Sequence, residues 1–362
     1  MSKNYSISVI LPCYNVAQYI ERAMDSIFMQ NFCDYEVIIV NDGSPDNLLD
    51  ICEKWMNMPN VRIITTPNQG VAQARNEGLG IAKGEYIYFM DPDDYLNQGL
   101  FSTIYKIAKE EDSDAIYFGC RTIEEYRGNW TYDVIPKATS YCSYKSIIYE
   151  CMPRFLGFGQ KDFDNWIHNN PWNKKECATV WRFMFRRSLL VENDIRFPKG
   201  IKLSEDKYFV LNVLLHSTKV SSVDKVFYNY IIKSDGGLVN SLSNSKELLK
   251  AKIDGVIERA KLRSVAKKLY GEDIFSMYSG TLVLGAVEIV VRGATRTIQD
   301  TLCDVRKYME MDDVKEACRS ISLKGLPLKF KAPTMFVKYR MMRLLVVLIH
   351  IAYRLGVKLS AF

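Results

Sequence analysis

Three carboxylates in four positions, Asp91-Pro92-Asp93-Asp94, close the apolar run Tyr86–Met90. The run reads as a buried strand, so the acids stand at its carboxyl end. Carboxylates packed this closely repel one another and resist desolvation, so a positive charge is needed among them. A hard divalent cation, magnesium or manganese, answers that need, with a bound diphosphate and water completing its shell. Pro92 stiffens the turn and fixes where Asp91 and Asp93 point. The plainer reading is an acidic cap on the following helix, but Asp94 alone would serve for that. The chemistry indicated is that of an enzyme handling a nucleotide-linked substrate.

Four more segments hold groups of suitable kind. Asp42, in Asn41-Asp42-Gly43-Ser44, can reach a base N–H or a ribose hydroxyl, or can simply start the next helix through an Asx-turn. Arg75 follows Gly70, Ala72 and Ala74, small residues that let a backbone approach closely; it can meet a base or a phosphate, or pair with Glu77 or Glu85 on a helix surface. Ser204-Glu205-Asp206 offers a carboxylate able to take a proton from a hydroxyl, or a helix start with Ser204 as cap and acids in the first turn. Tyr228–Gly237 runs from an aromatic strand into a polar, glycine-rich loop where Lys233 could meet a leaving diphosphate; a plain surface loop explains it equally.

The elements that must position these groups alternate. Apolar, β-branched runs at Ile7–Leu11, Tyr35–Val40, Val61–Thr65, Tyr86–Met90 and Ala115–Phe118 read as strands. Helical patterns lie between them at about 16–30, 46–57, 70–82 and 98–111. Such alternation predicts an α/β fold, a Rossmann-like, mostly parallel sheet flanked by helices, with ligands at the strands' carboxyl ends. Pro12-Cys13-Tyr14-Asn15, Asn41–Ser44 and Asp91–Asp94 all fall at those ends. Residues 121–175 are irregular and read as an insertion beside the sheet edge. Val180–Val191 is helical or strand-then-helix, Val220–Tyr230 a strand, and 246–320 mainly helical.

Bulk properties narrow the class. The 362 residues allow two domains, at roughly 150 each. Nine scattered cysteines without a Cys-x-x-Cys pair, and three isolated histidines, argue for free thiols in a reducing compartment and against a zinc centre. No leader pattern precedes the first strand, which points to a cytosolic chain. Net charge is +6, yet residues 1–316 hold 39 basic against 42 acidic side chains. The positive charge is therefore C-terminal, and the first part is no nucleic-acid-binding surface.

The motif order closely resembles the family 2 inverting glycosyltransferases of the GT-A fold. Ser8–Asn15 (SVILPCYN), Val40–Ser44 (VNDGS), Gly70 with Ala74, Arg75, Asn76 and Gly78, and Gly84–Asp94 carry the likeness strongly over residues 5–110. It returns at 178–236 with Arg187–Leu190, Ile195–Pro198, Glu205-Asp206 and Tyr228–Tyr230, similar to the acceptor half of bacterial polysaccharide-building members. The resemblance implies a GT-A domain over 1–240, with a nucleotide-sugar half to 120 and an acceptor half beyond, followed by a helical region over 241–334. It implies Pro12 and Tyr14 beside the nucleobase, Asp42 and Arg75 at the uracil edge, and Asp91 near the ribose. Asp93 with Asp94 would hold manganese or magnesium, and Asp206, or else Glu205, would be the general base. The reaction implied is a single displacement from a nucleotide sugar, UDP-linked, onto a saccharide acceptor, lipid-linked. Val180–Phe183 departs from the Trp-Asn-Lys seen in similar enzymes, a triplet that occurs here at Trp172–Lys174.

The tail 335–362 reads as one basic amphipathic helix. Residues 340, 343, 350, 354 and 358 mark its polar side, and Leu344, Leu345, Val347, Leu348, Ile351 and Leu355 its apolar face. Spanning needs ~20 apolar residues, so the helix is expected to lie in the interface of the inner leaflet, drawn by anionic lipid; a last helix packed on the protein is the alternative. The chain is then cytoplasmic and peripherally attached. A nucleotidyltransferase would also want strand-end acids, but it would show a glycine-rich loop with lysine after the first strand; a non-catalytic nucleotide-sugar binder is the other competing reading. The oligomeric state stays open, a homo-oligomer included.

Overall fold

The computed structural model describes residues 4–165, 176–201, 204–233 and 245–357. The chain packs as two units, Met1–Met152 with Cys177–Gly236, and Pro153–Glu176 with Gly237–Phe362.

The first unit is built on one mixed sheet. Strands β1 (Tyr5–Cys13), β2 (Tyr35–Asp42), β3 (Val61–Thr66) and β4 (Gly84–Phe89) are parallel, with β1 between β2 and β4. β1 and β2 are buried almost throughout, as strands covered on both faces must be. Helix α1 (Ala17–Phe28) places Ile20, Ala23, Met24 and Ile27 on one stripe against one face. On the other face lies α3 (Val71–Ile81), which follows the short α2 (Leu48–Cys52); Gly78 of α3 comes so near that a Cβ would stand 2.5 Å from Ile10 Cγ2.

Beyond β4 and the short β5 (Tyr95–Leu96), α4 (Leu100–Glu110) leads to β6 (Ala115–Glu124). Then come β7 (Trp130–Val134), β8 (Thr139–Tyr141), β9 (Phe183–Arg186), α5 (Arg187–Glu192), α6 (Glu205–His216) and β10 (Val220–Ile232). The sheet order is β3-β2-β1-β4-β9-β6-β10-β5, with β7 on β6 and β8 on β10. Antiparallel β9 sits between β4 and the parallel pair β6–β10, which makes the sheet mixed.

Residues 121–165 are more regular than their sequence suggests. β6 continues to Glu124, β7 and β8 extend the sheet, and helical turns follow at Tyr144–Ser146, Ile147–Cys151, Pro153–Leu156 and Gln160–Asp164. β7 escapes a pattern search because almost its whole length is exposed, so no apolar alternation marks it. Trp172–Lys174, the loop 234–237 and Lys358 lie outside the described residues.

The second unit is helical. α8 (Ser279–Arg292), apolar nearly all round, packs against α7 (Ser245–Tyr270), α9 (Ile298–Met309), α10 (Asp312–Ser320), α11 (Leu328–Lys338) and α12 (Met342–Arg354). The tail is thus two helices where the sequence suggests one. Arg340 adopts φ 58°, in the left-handed region, and ends α11, while its side chain pairs with Glu310 at 3.0 Å. His350, expected on the polar side, is buried with its ring nitrogens on the carbonyls of Val346 and Arg296. Among the described residues no helix is long and apolar enough to cross a membrane.

Gly84 opens β4 where it meets β1. A Cβ there would stand 2.3 Å from the Ser8 nitrogen and 2.7 Å from the Ile7 carbonyl carbon, both backbone atoms. Gly84→Ala should therefore cost about 1–3 kcal/mol, read as a lowered urea midpoint; an unchanged midpoint would show that β1 and β4 can part freely.

Candidate active site

Arg75 organises the carboxyl rim of the sheet. It lies in α3 and is only 3% exposed. Its Nη1 donates to Asp206 Oδ1 at 2.6 Å and to Glu205 Oε1 at 3.2 Å, and its Nη2 to Asp91 Oδ1 at 2.9 Å. The guanidinium lies 5.3 Å from the Phe197 ring centroid. Pairing with Glu77 or Glu85 does not occur: Glu77 accepts from Gln73, and Glu85 from Tyr105 and Lys109. Nor does the arginine stand free for a uracil, since three carboxylates occupy it.

Three acids around one cation leave excess negative charge, and the protons respond. Burial pushes Asp91 up to about 6, against the pull of Arg75. Burial, then neighbouring Asp206, raises Glu205, again opposed by Arg75. For Arg75 burial alone would lower the value, but Asp206, Asp91 and Glu205 outweigh it and raise it.

The acids of α6 reach Arg75 through an unusual helix start. Ser204 adopts φ 70°, and its side chain makes no capping bond, unlike the cap its sequence suggests. A non-glycine residue in the left-handed region is strained, and such residues gather at functional sites. Here the turn brings Glu205 and Asp206 together onto one guanidinium. Among the described residues the Val180 N–H approaches Asp206 Oδ2 at a long 3.4 Å, and Glu205 shares a side-chain hydrogen bond with Asp206. Asp206 keeps more of its side chain open than Glu205 does, 18% against 11%.

The Asp91–Asp94 cluster divides its labour. Asp93 is 36% exposed, and its carboxylate meets Lys233 at 2.9 Å. That lysine also lies over the Tyr19 ring, and Arg22 holds the Asp93 carbonyl at 2.6 Å. Asp94 differs from expectation. It is buried, accepting from Tyr228 Oη at 2.6 Å and from the Ile231 N–H at 2.8 Å, and burial drives its pKa well up. Both its oxygens are engaged in fastening β10 to this loop, so it is no companion to Asp93 on a metal. Tyr228 Oη also accepts the Asp91 N–H at 3.3 Å.

Asp42 is likewise occupied. Its two oxygens accept from the N–H groups of Gln69 and Gly70, at 2.9 and 2.8 Å, which shapes the turn into α3. Pro12 is buried at the end of β1, and Tyr14 next to it is half-exposed. Two contributors carried no sequence signal. Asp46 ties the loop after β2 to the start of α1 through Ser44 and the Ala17 N–H. Trp181 stacks on Tyr228 at 4.2 Å and on Tyr230 at 5.5 Å. Its one trace was the departure of Val180–Phe183 from the Trp-Asn-Lys of similar enzymes.

Residues 8–187 match the model of glycosyl transferase family 2. The chain belongs to that family. Among its relatives, the uncharacterized glycosyltransferase EpsJ of Bacillus subtilis is 30% identical over 62% of this chain and 60% of that protein. A poly(ribitol-phosphate) beta-glucosyltransferase of Bacillus spizizenii is 34% identical over 64% of this chain but 33% of that protein, so the chain spans between a third and three-fifths of these relatives. The crystal structure of Staphylococcus aureus TarS 1–349 in complex with UDP-GlcNAc superposes with a TM-score of 0.61 at 19% identity, over 97% of this chain and 92% of that one. The family 2 chain thus carries the GT-A fold with a helical C-terminal region.

Raised carboxyls have a consequence for stability. The folded chain binds Asp91 and Glu205 protons more tightly than the unfolded chain does, so the stability these two groups contribute is full below about pH 4 and is lost as pH rises, through about 6 for Asp91 and beyond the ordinary range for Glu205. Glu205→Gln, which keeps shape and removes charge, should flatten the fall in melting temperature between about pH 5 and 8. Parallel slopes for the variant and the unaltered chain would contradict this electrostatic picture.

Proposed function

We propose that the chain moves a hexose from a UDP-sugar to a hydroxyl of a growing, lipid-linked surface polysaccharide or oligosaccharide, with inversion at the anomeric carbon. The observation that carries the reading is Asp206, oriented by Arg75 beside the strand-end acid Asp91. The UDP-GlcNAc bound to TarS and the poly(ribitol-phosphate) in the name of the Bacillus spizizenii relative support the donor and acceptor classes.

Pro12 and Tyr14 line the nucleobase, with Asp42 acting through the backbone turn it shapes, and Asp91 meets the ribose. Among the described residues no three His, Cys, Asp or Glu side chains gather as a metal shell. Asp93 fits nonetheless, because magnesium or manganese in a diphosphate site takes one or two carboxylates and fills the rest from phosphate and water. Such an ion, once bound, offsets charge on the leaving diphosphate. Lys233, now on Asp93, is placed to turn toward that same diphosphate. Asp206 takes the proton of the attacking hydroxyl: Arg75 aims it, and its second oxygen meets the Val180 N–H only at a long 3.4 Å. Glu205, more buried and inclined to stay protonated, is less available to accept that proton.

Two experiments test this reading. Asp206→Asn should lower turnover by about a hundredfold or more while donor affinity holds, and Asp93→Ala should abolish metal-stimulated hydrolysis of the UDP-sugar. Full turnover in Asp206→Asn would remove the proposed base.

The tail supports attachment to the cytoplasmic face of a membrane. α12 buries Met342, Leu345 and Val346 but leaves Leu344, Val347, Leu348 and Ile351 exposed, with Arg343 and Arg354 beside them. No acid follows Glu316 to repel anionic lipid. Vesicles containing about a third phosphatidylglycerol should sediment the protein, and neutral vesicles should not. Leu348→Glu with Ile351→Glu should release it; undiminished sedimentation would rule this face out.

A further inference from the structure

Two aromatic rings stand open on the sheet. In β7, Trp130 is 53% and Tyr132 42% exposed, with ring centroids 5.3 Å apart. Among the described residues β7 pairs only with β6, so it is an edge. Edges are usually blunted with charge or proline, because exposed apolar edge strands aggregate. Rings kept there need a reason.

Register fixes their face. Val134, Tyr132 and Trp130 pair with Cys120, Thr122 and Glu124 of β6. Across β6 the same three positions pair with Tyr228, Tyr230 and Ile232. Paired positions share a face and alternate along each strand, and Cys120, Val134, Tyr228 and Tyr230 do pack in one cluster. Trp130 and Tyr132 therefore lie on the face where Trp181 covers Tyr228 and Tyr230. Two strand spacings, about 10 Å, separate Tyr132 from Tyr230. Arg121 and Asp133, paired at 2.7 Å on the opposite face, brace the same two strands.

Sheet order separates this surface from the nucleotide. β1 and β2, which carry Pro12, Tyr14 and Asp42, lie on one side of β4; β6, β7 and β10 lie on the other. The surface runs outward from Tyr228, which holds Asp94 and the Asp91 N–H. We propose that Trp130 and Tyr132 are a stacking platform for the acceptor saccharide, a subsite for pyranose rings remote from the reacting hydroxyl. The inference rests on the glycosyltransferase reading. A pyranose presents a face of C–H groups, apolar and slightly positive, to the apolar and negative face of an aromatic ring, and its hydroxyls stay in water.

The test uses the full chain with cellohexaose and chitohexaose as probes. Trp130 is one of five tryptophans, so its signal is the difference between the unaltered chain and Trp130→Phe. Saturable fluorescence quenching by a hexasaccharide should shrink in Trp130→Phe and vanish from the difference in Trp130→Ala/Tyr132→Ala. For whichever hexasaccharide serves as acceptor, the double variant should raise KM about tenfold and move kcat far less, with the melting temperature confirming that it folds. Equal quenching in all three proteins, or a change confined to kcat, overturns the platform. So does a shift in oligomeric state by light scattering with saccharide binding intact, which would make β7 a contact between copies. Saccharide quenching without any hydrolysis of UDP-sugars by the unaltered chain would strike the catalytic reading and leave the platform standing.

Discussion

A buried guanidinium shared by three carboxylates is the constraint on which the site depends. Arg75 comes from α3, Asp91 from the end of β4, and Glu205 with Asp206 from α6, some 130 positions along the chain. A charge this deep is tolerable only when paired, and removing one partner from such a buried cluster typically costs about 3–5 kcal/mol. The same contact that holds three elements in register also aims Asp206. Stability and chemistry are therefore properties of one interaction.

The strands and helices of the first 120 residues were legible because their burial is simple. Continuous apolar runs such as Val37–Val40 can only be interior strands, and the stripe Ile20, Ala23, Met24, Ile27 can only be a buried helix face. Residue types at the rim were legible too, since acids at strand ends have few other uses. Their partners were not. Nothing local distinguishes Asp93, facing Lys233, from Asp94, turned inward to Tyr228, because the difference is made by β10, more than 130 positions away. Ser204 looks like a cap by type, yet its left-handed backbone answers to Arg75. Arg340 breaks the tail for a similar reason: its side chain is drawn to Glu310, and no glycine or proline announces the break. Local patterns record burial and propensity; long-range ion pairs leave no local trace.

The order of strands turns chemistry into geography. Groups suited to a nucleotide stand on β1 and β2, the acids hang from β4 in the middle, and the aromatic strands β6 and β10 occupy the far side. Antiparallel β9 is the joint, joining β4 on one edge and β6 on the other, and the segment leading into it supplies Trp181.

The clasp between Asp94 and β10 has a consequence for how such enzymes diversify. Tyr228 and Ile231 fasten the far strand to the loop after β4, so the intervening chain leaves and returns at fixed points. A segment anchored at both ends can lengthen or change composition at little entropic cost, since closure cost grows only with the logarithm of length. The exposed segment after β6 can thus vary, while β6, β9 and the acids of α6 stay held in the sheet and on Arg75.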